Sequence, residues 1–469
     1  QTMLRTGETI CAPATSGRGA IAVIRISGPK SLEICKRIFF PADQKVMIDN
    51  QKGYSIVYGE IRSDNELIDD VLVSIFRAPH SYTGEDSIEI SCHASPYIQH
   101  KVLELLIKHG ALPAQAGEFT QRAFLNGKMD LSQAEAVADI VASESRAAHR
   151  IAMSQMRGEF SDEINILRAD LLHFASLIEL ELDFGEEDVE FADRKELEDI
   201  VERVLKIAKD LASSFSLGNA IKNGVPVVIT GSPNTGKSTL LNALLKEDRA
   251  IVSEIPGTTR DAIEDMAIID GVQFRFTDTA GLRDTDDIIE NLGIKKTHEK
   301  IRTAAIILMV IDINDSLVQI NDTIDRVRNT VRESDTGKII LLNKTDTAEQ
   351  GKRDEIRNNI SLTGDESMLF ISALTGEGID ILKENLVRIA GNASLDSDNV
   401  IISHIRHYHA LLQVIDSLER VKQGLKGNLQ EDLIATDIRQ AIHYLGEITG
   451  QITSDEILDN IFRNFCIGK

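Results

Sequence analysis

Gly231-Ser232-Pro233-Asn234-Thr235-Gly236-Lys237-Ser238 follows the apolar run Val225 to Ile229 and runs straight into Thr239-Leu240-Leu241. That is the spacing of a phosphate-binding loop at a strand-to-helix turn. The glycines let backbone N–H groups approach phosphate oxygens, Lys237 brings a point charge to the β/γ positions, and Ser238 sets a hydroxyl where Mg²⁺ would sit. Thr235, Gly236 and Thr239 complete the stretch expected to line the phosphates. The reading fixes an α/β sheet with a nucleotide at the C-terminal ends of its strands.

Bulk properties bound the rest. A chain of 469 residues exceeds what one hydrophobic core organises, so roughly three domains are expected. A net charge of −23 with 42% hydrophobic residues indicates a folded protein without a broad nucleic-acid-binding face, because sequence-independent phosphate affinity needs clustered Lys and Arg. Any RNA substrate then needs a local patch or a partner. Cys11, Cys35, Cys92 and Cys466 show no CxxC spacing, which argues against a zinc site or disulfide framework and fits a reducing, cytoplasmic location. No apolar stretch nears the roughly 18 residues that span a bilayer, and no signal-like core follows the first residues. No membrane association is expected.

Short β-branched runs at Ile21–Ile26, Ser55–Ile61 and Val71–Phe76 predict strands, and Leu32–Phe39 and Tyr97–His109 predict helices, the latter stopped by Gly110. From Ser132 the period becomes helical, as in Ile164, Leu167, Leu171, Phe174 and Ile178, and in Leu197, Ile200, Val204, Ala208 and Leu211. Helical stripes resume only after residue 400, with Leu411, Ile415, Leu418 and Val421, then Leu433, Ile438, Ile442 and Leu445. The α/β pattern from Val225 to about Ala390 therefore reads as a domain inserted between two helical halves that pack together. His404, His407 and His409 lack convincing i, i+4 spacing on one face, so no metal site is expected there.

Asn343-Lys344-Thr345-Asp346 follows the strand-like Ile339–Leu342, and Asp346 can accept hydrogen bonds from guanine's ring N–H and amino group. Ser372-Ala373-Leu374, after Leu369–Ile371, would buttress the same base. Asp278-Thr279-Ala280-Gly281 and Thr258-Thr259, after Gly257, read as switch segments near the metal and the γ-phosphate. Where many small GTPases carry a water-orienting glutamine, this chain has Leu282, which cannot hydrogen-bond. Asp284, Asp286, Asp287 and Glu290 are the nearby acidic substitutes, and composition does not choose among them.

The chain also resembles the tRNA-modification GTPase family MnmE, also called TrmE, over its whole length. The resemblance rests on Arg18-Gly19, Arg25-Ile26-Ser27-Gly28, Ser81-Tyr82-Thr83-Gly84-Glu85-Asp86, Gly117-Glu118-Phe119, Arg122-Ala123-Phe124-Leu125-Asn126 and Cys466-Ile467-Gly468-Lys469. It implies a multidomain α/β plus all-α protein. An N-terminal folate-binding-like α/β domain would occupy 1–120, and a helical domain 121–218 and 391–469. A Ras-like P-loop GTPase domain, 219–390, would interrupt the helical one.

The resemblance further implies a GTPase activated by K⁺ and by dimerisation of its G domains. Asn234, Ser253, Ile255 and Thr258 would hold K⁺, Ser238 and Thr259 would hold Mg²⁺, and Glu254, Pro256 and Gly257 lie in the loop closing over the nucleotide. Ser253 stands where relatives often carry Thr; a carbonyl contact makes that departure harmless. Glu290 falls on the family's catalytic glutamate, acting through a bridging water, while Arg283 receives no definite task.

Arg25, Glu89, Lys128 and Lys469 would contact a 5-formyl or methylene tetrahydrofolate derivative in a homodimer formed by the N-terminal domain. Read from the residues alone, Glu89 is the outward member of an alternating strand and Lys128 a surface lysine. Cys466 would lie near the modification centre. The implied task, with an FAD-dependent partner in a heterotetramer, is carboxymethylaminomethyl modification at C5 of the wobble uridine, U34, of tRNA. A ribosome-assembly or signalling GTPase without one-carbon chemistry is the alternative.

Overall fold

A computed structural model describes residues 7–15, 19–64, 66–183, 194–248, 264–278, 304–330, 336–364, 366–390, 400–427, 431–463, 465 and 468. In chain order the described elements begin with β1 (Ile10–Pro13), β2 (Ile21–Ser27), α1 (Ser31–Ile38), β3 (Phe39–Pro41), β4 (Ser55–Ser63), β5 (Glu66–Phe76) and β6 (Ser87–His93). There follow α2 (Pro96–Lys108), β7 (Leu112–Pro113), α3 (Glu118–Leu125), α4 (Leu131–Ala142), α5 (Arg146–Met156), α6 (Glu159–Asp183) and α7 (Arg194–Asn223). Next come β8 (Val225–Thr230), α8 (Lys237–Asp248), β9 (Glu264–Ile269), β10 (Val272–Asp278), β11 (Ile306–Asp312), α9 (Leu317–Thr330) and β12 (Gly337–Asn343). The chain closes with α10 (Lys352–Asn359), β13 (Glu366–Phe370), α11 (Ile379–Ala390), α12 (Ile405–Lys426), α13 (Glu431–Thr449) and α14 (Asp455–Arg463). It packs as two compact units, residues 1–141, 155–204 and 413–469, and residues 142–154 and 205–412. None of the described helices is long and apolar enough to cross a membrane.

The first unit holds a seven-stranded sheet in the order β3-β4-β5-β6-β2-β1-β7. Its inner face alternates as a half-covered antiparallel sheet should: Val57, Ile61, Val73, Ile88, Ile90 and Ile24 are buried against Leu32, Ile38, Val102 and Leu106 of α1 and α2. Among the described residues the opposite face is covered around β1, where Ala12 packs with Phe119 and Tyr82. Toward β4 and β5 it carries exposed Ile56, Tyr58 and Leu72.

The helical halves meet in this unit, joined by Arg439 on Glu179, Gln451 on Asn165 and Lys422 on Glu202. Of the stripe expected on α13, Ile438, Ile442 and Leu445 are buried, whereas Leu433 is exposed and its neighbour Ile434 takes the inward place. The helix begins one residue out of the phase that the spacing suggested.

The second unit contains a six-stranded sheet in the order β13-β12-β11-β8-β10-β9, parallel except for β9. Both faces are buried, so its central strands are apolar without alternation. Val227, Ile229, Leu308 and Leu341 pack toward Leu240 and Leu382, while Val228, Met309 and Ile340 pack toward Ile320 and Ile356. Strand β8 lies where the strand order turns back, between β11 and β10. Its C-terminal end is therefore the crevice that a doubly wound sheet offers to ligands.

Candidate functional site

The loop at the end of β8 is shaped by two glycines that no other residue replaces easily. Gly231 has φ 153°, and a Cβ there would stand 2.1 Å from the Val310 carbonyl; Gly236 has φ 94°, and its Cβ would stand 2.4 Å from Nδ2 of Asn343. Lys237 is buried and donates from Nζ to the carbonyls of Gly231 at 3.0 Å and Ser232 at 2.8 Å. Its charge is thus held over the loop, where phosphate oxygens can replace carbonyls as stronger acceptors. Ser238 and Thr239 face solvent on the first turn of α8. Asn234, exposed at φ 62°, stands at the loop's crest.

Asn343 ties this loop to the rest of the site. Its Nδ2 donates to the Thr235 carbonyl at 2.8 Å, and its Oδ1 accepts from the Ala373 backbone N–H at 2.9 Å. Ser372 donates from Oγ to Asp346 Oδ1 at 2.6 Å, fixing the carboxylate expected to read guanine. Lys344, at φ 67°, extends to Asp312 at 2.7 Å. Burial opposes ionisation of Asp312, but the bonds from Lys344 and Asn314 outweigh it and hold its carboxyl below the ordinary range. Glu377, which the sequence reading passed over, braces the 372–377 loop. It accepts from Thr345 Oγ1 at 2.8 Å and pairs with Arg353, whose hydrogen bond lowers the Glu377 pKa.

The structure therefore brings together Asn234, Thr235, Gly236, Lys237 and Ser238 with Asn343, Lys344, Asp346, Ser372 and Ala373. Asp278 ends β10, paired in register with Ile229 of β8. Ser253, Glu254, Ile255, Pro256, Gly257, Thr258, Thr259, Thr279, Ala280, Gly281 and Glu290 lie outside the described residues, as do Cys466 and Lys469. Among the described residues no group of three or more His, Cys, Asp or Glu is placed to hold a metal.

On the outer face of the first unit's sheet, register sets Ile56, Ser74, Glu89, Arg25 and Ala12 in one row across β4, β5, β6, β2 and β1. Arg25 donates to Glu89 Oε1 from Nε at 2.9 Å and pairs with it from Nη2 at 2.8 Å. No hydrogen bond reaches Glu89 Oε2 among the described residues, which leaves that oxygen for a donor edge such as a pterin amidine. Rings of Tyr82 and Phe119 lie 5.3 and 5.5 Å from the Arg25 guanidinium carbon. Lys128 donates to the Pro79 carbonyl at 3.0 Å, on the same loop as Tyr82 but without contact to Arg25.

Sequence reasoning used several short pieces only as points of resemblance, and the structure shows what they do. Arg122, nearly buried, pairs with Glu85 at 3.1 Å and with Glu118 at 3.1 Å. Ser27 donates to Glu85 at 2.8 Å and shares a hydrogen bond with Thr83 at 2.7 Å, and Asn126 donates to the Thr83 carbonyl. The loop 81–86 is thereby clamped, and with it Tyr82. Two carboxylates around one buried guanidinium would be left uncompensated by loss of Arg122, at a cost of about 3–5 kcal/mol. A buried Arg flanked by acidic loop residues leaves no periodic trace in sequence.

Burial pushes the thiols of Cys11 and Cys35 up to about 12 and that of Cys92 to about 11, so all three are inert packing groups.

Comparison with known proteins adds an independent line. A family profile described as MnmE helical domain matches residues 131–466, and one described as GTP-binding protein TrmE N-terminus matches residues 9–128. The chain is 50% identical over 464 residues to a tRNA modification GTPase MnmE of Bacteroides fragilis strain YCH46, covering 98% of this chain and 99% of that one. It is 49% identical over 477 residues to the protein of that name from Christiangramia forsetii, covering 99% and 100%. Among solved structures, the G domain of the T. maritima FeoB iron transporter matches at 24% identity and a TM-score of 0.27, covering 35% of this chain and 98% of that chain.

Proposed function

The chain belongs to the tRNA modification GTPase MnmE family, and from that premise we propose a K⁺-stimulated GTPase cycle that drives C5 carboxymethylaminomethyl modification of U34 in tRNA with an FAD-dependent partner. It is a GTP hydrolase that binds GTP with Mg²⁺ and acts in tRNA modification. The observation that carries the nucleotide reading is the Asn343 bridge, which locks the phosphate loop to the Asp346–Ser372 pair, so that phosphate and base subsites form one rigid constellation.

In this reading Lys237 exchanges loop carbonyls for β/γ oxygens, loop N–H groups cradle the phosphates, and Asp346 accepts from guanine. Ser238 and Thr259 would hold Mg²⁺, which supplies charge neutralisation at the β/γ bridge when bound. Asn234, Ser253, Ile255 and Thr258 would hold K⁺. The exposure of Asn234, whose side chain has no hydrogen bond among the described residues, supports its share in that set. Glu290 orients the attacking water in place of the glutamine that Leu282 replaces.

The folate derivative is assigned to Arg25, Glu89, Lys128 and Lys469, with Cys466 nearby. The open Glu89 Oε2 and the exposed apolar side chains beside it support a flat heteroaromatic ligand and a second copy of the chain on this face. The proposed boundaries are 1–120, 121–218, 219–390 and 391–469, and the proposed location is the cytoplasm.

Steady-state GTP hydrolysis in K⁺ and in Na⁺, with GDP binding measured in both, tests the cycle. Hydrolysis should fall in Na⁺ while GDP binding holds, and Asn234→Ala should remove the difference; equal rates in both salts would refute the K⁺ assignment. Glu290→Ala should abolish hydrolysis and keep nucleotide binding.

A further inference from the structure

The two residues of the Asp346–Ser372 hydrogen bond are fastened from behind by a side chain that neither motif contains. Glu377 accepts from Thr345 Oγ1 through Oε2 at 2.8 Å, and its backbone carbonyl accepts from the Ser372 N–H at 2.9 Å. Thr345 immediately precedes Asp346, and its N–H donates to the carbonyl of Ile371, the neighbour of Ser372, at 3.2 Å. With Ser372 Oγ on Asp346 Oδ1 at 2.6 Å, these bonds close a ring through Thr345, Asp346, Ser372 and Glu377. Thr345 and Ser372 are buried, whereas Asp346 is exposed. The ring is anchored on its inner side and presents the carboxylate outward. The other Glu377 oxygen pairs with Arg353 at 2.8 Å, but the two side chains are 48% and 44% exposed, and an ion pair so solvated contributes little. The consequential bond of Glu377 is the one to Thr345.

Reading guanine takes two hydrogen bonds at once, from the ring N–H and from the 2-amino group, so the plane of the Asp346 carboxylate has to be fixed. A carboxylate free to turn keeps one of them and loses the other. We infer that Glu377 is a positioning residue for guanine selectivity: by holding Thr345 it keeps the Asp346 turn and the Ser372 loop in register, so that Asp346 engages both groups of the base together. Glu377 acts through Thr345 and Asp346, not on the base. The inference rests on the guanine reading of Asp346 and on nothing assigned to K⁺, folate or tRNA.

The test displaces a fluorescent GDP from the full-length protein, in Mg²⁺, with GDP and with inosine 5′-diphosphate, which keeps the ring N–H but lacks the 2-amino group. The ratio of the two affinities is the readout. One hydrogen bond to a charged acceptor corresponds to a wild-type preference for GDP of roughly ten- to a hundredfold. Glu377→Ala and Thr345→Val should each reduce that preference about five- to tenfold, chiefly by weakening GDP, and the double variant should do no more than either alone. Thr345→Ser, which keeps the hydroxyl, and Glu377→Gln, which keeps an acceptor, should retain the wild-type ratio. Equal weakening of both nucleotides, additive losses in the double variant, or an unchanged ratio in Thr345→Val overturns the inference. If Glu377→Ala does not fold, Thr345→Val and Thr345→Ser decide: selectivity lost in the first and kept in the second upholds it, and any other result sinks it. A wild type without preference for GDP, matched by Asp346→Asn, would overturn the guanine reading itself and this inference with it. A preference that survives both Glu377→Ala and Thr345→Val removes only the role of Glu377.

Discussion

At the scale of single residues, the Asn343 carboxamide uses both of its ends on backbone groups far away in sequence, Thr235 and Ala373. It is only 2% exposed, so neither group has water as a substitute partner. Asn343→Ala would strand a carbonyl and an N–H at about 1–3 kcal/mol each, and the phosphate loop would lose its link to the base subsite. We expect a stability loss of about 2–4 kcal/mol together with a drop in GDP affinity on the order of 10- to 100-fold. Thermal unfolding and fluorescent-GDP titration check the two arms; a variant with wild-type stability would remove Asn343 from its structural role. Its place in an Asn-Lys-Thr-Asp run was legible as a base-reading motif. That its amide reaches back to the phosphate loop was not, because a pattern in sequence carries no information about a contact spanning 108 positions.

Among elements, edge strand β13 is held to α9 by one carboxylate. Glu366, with a side chain 1% exposed, accepts from Arg328 Nε at 2.9 Å and Nη2 at 2.6 Å, and from the Thr363 N–H at 3.0 Å. Burial opposes its ionisation, yet the bonds from Arg328 and Thr363 win and lower its pKa from the ordinary 4.5. A depressed folded-state pKa means stability that is fully present above 4.5 and is lost as pH falls through the lower folded value. Glu366→Gln should therefore weaken β13 by about 1.5–3 kcal/mol at pH 7, with the deficit shrinking in acid. Hydrogen exchange of residues 366–370, corrected for intrinsic rates, measures it; a deficit independent of pH would contradict the charged pairing. Elements like these were readable where they were long or periodic. Helices at 32–39 and 97–109 and strands near 21, 55 and 71 were anticipated within a few residues. By contrast β1, β3 and β7 span four, three and two residues, too short for any period, and exist because neighbours pair with them. The Arg122 cluster escaped for a related reason: buried ion pairs depend on which loops the fold juxtaposes.

For the molecule as a whole, two surface properties bear on the proposed partners. The exposed Ile56, Tyr58 and Leu72 lie on the face that also carries Arg25 and Glu89, and a second copy of the chain is the proposed cover. Tyr58→Asp would set a charge in the middle of that patch and should shift sedimentation from dimer toward monomer at micromolar concentration; an unchanged dimer would move the interface elsewhere. Charge decides the RNA side. With Lys and Arg totalling 51 against 74 Asp and Glu, the chain repels a polyanion at long range, and repulsion of this kind slows encounter and lowers affinity at low salt most of all. Each phosphate neutralised contributes a slope of about −0.7 to −0.9 in log K against log salt. A substrate held mainly by the proposed partner therefore predicts that this protein alone binds tRNA weakly with a shallow slope, and that adding the proposed FAD-dependent partner both raises affinity and steepens the slope. Filter binding or fluorescence anisotropy across a salt series gives both quantities. Tight binding with a steep slope by the isolated protein would mean that a local basic surface, not the partner, supplies the phosphate contacts.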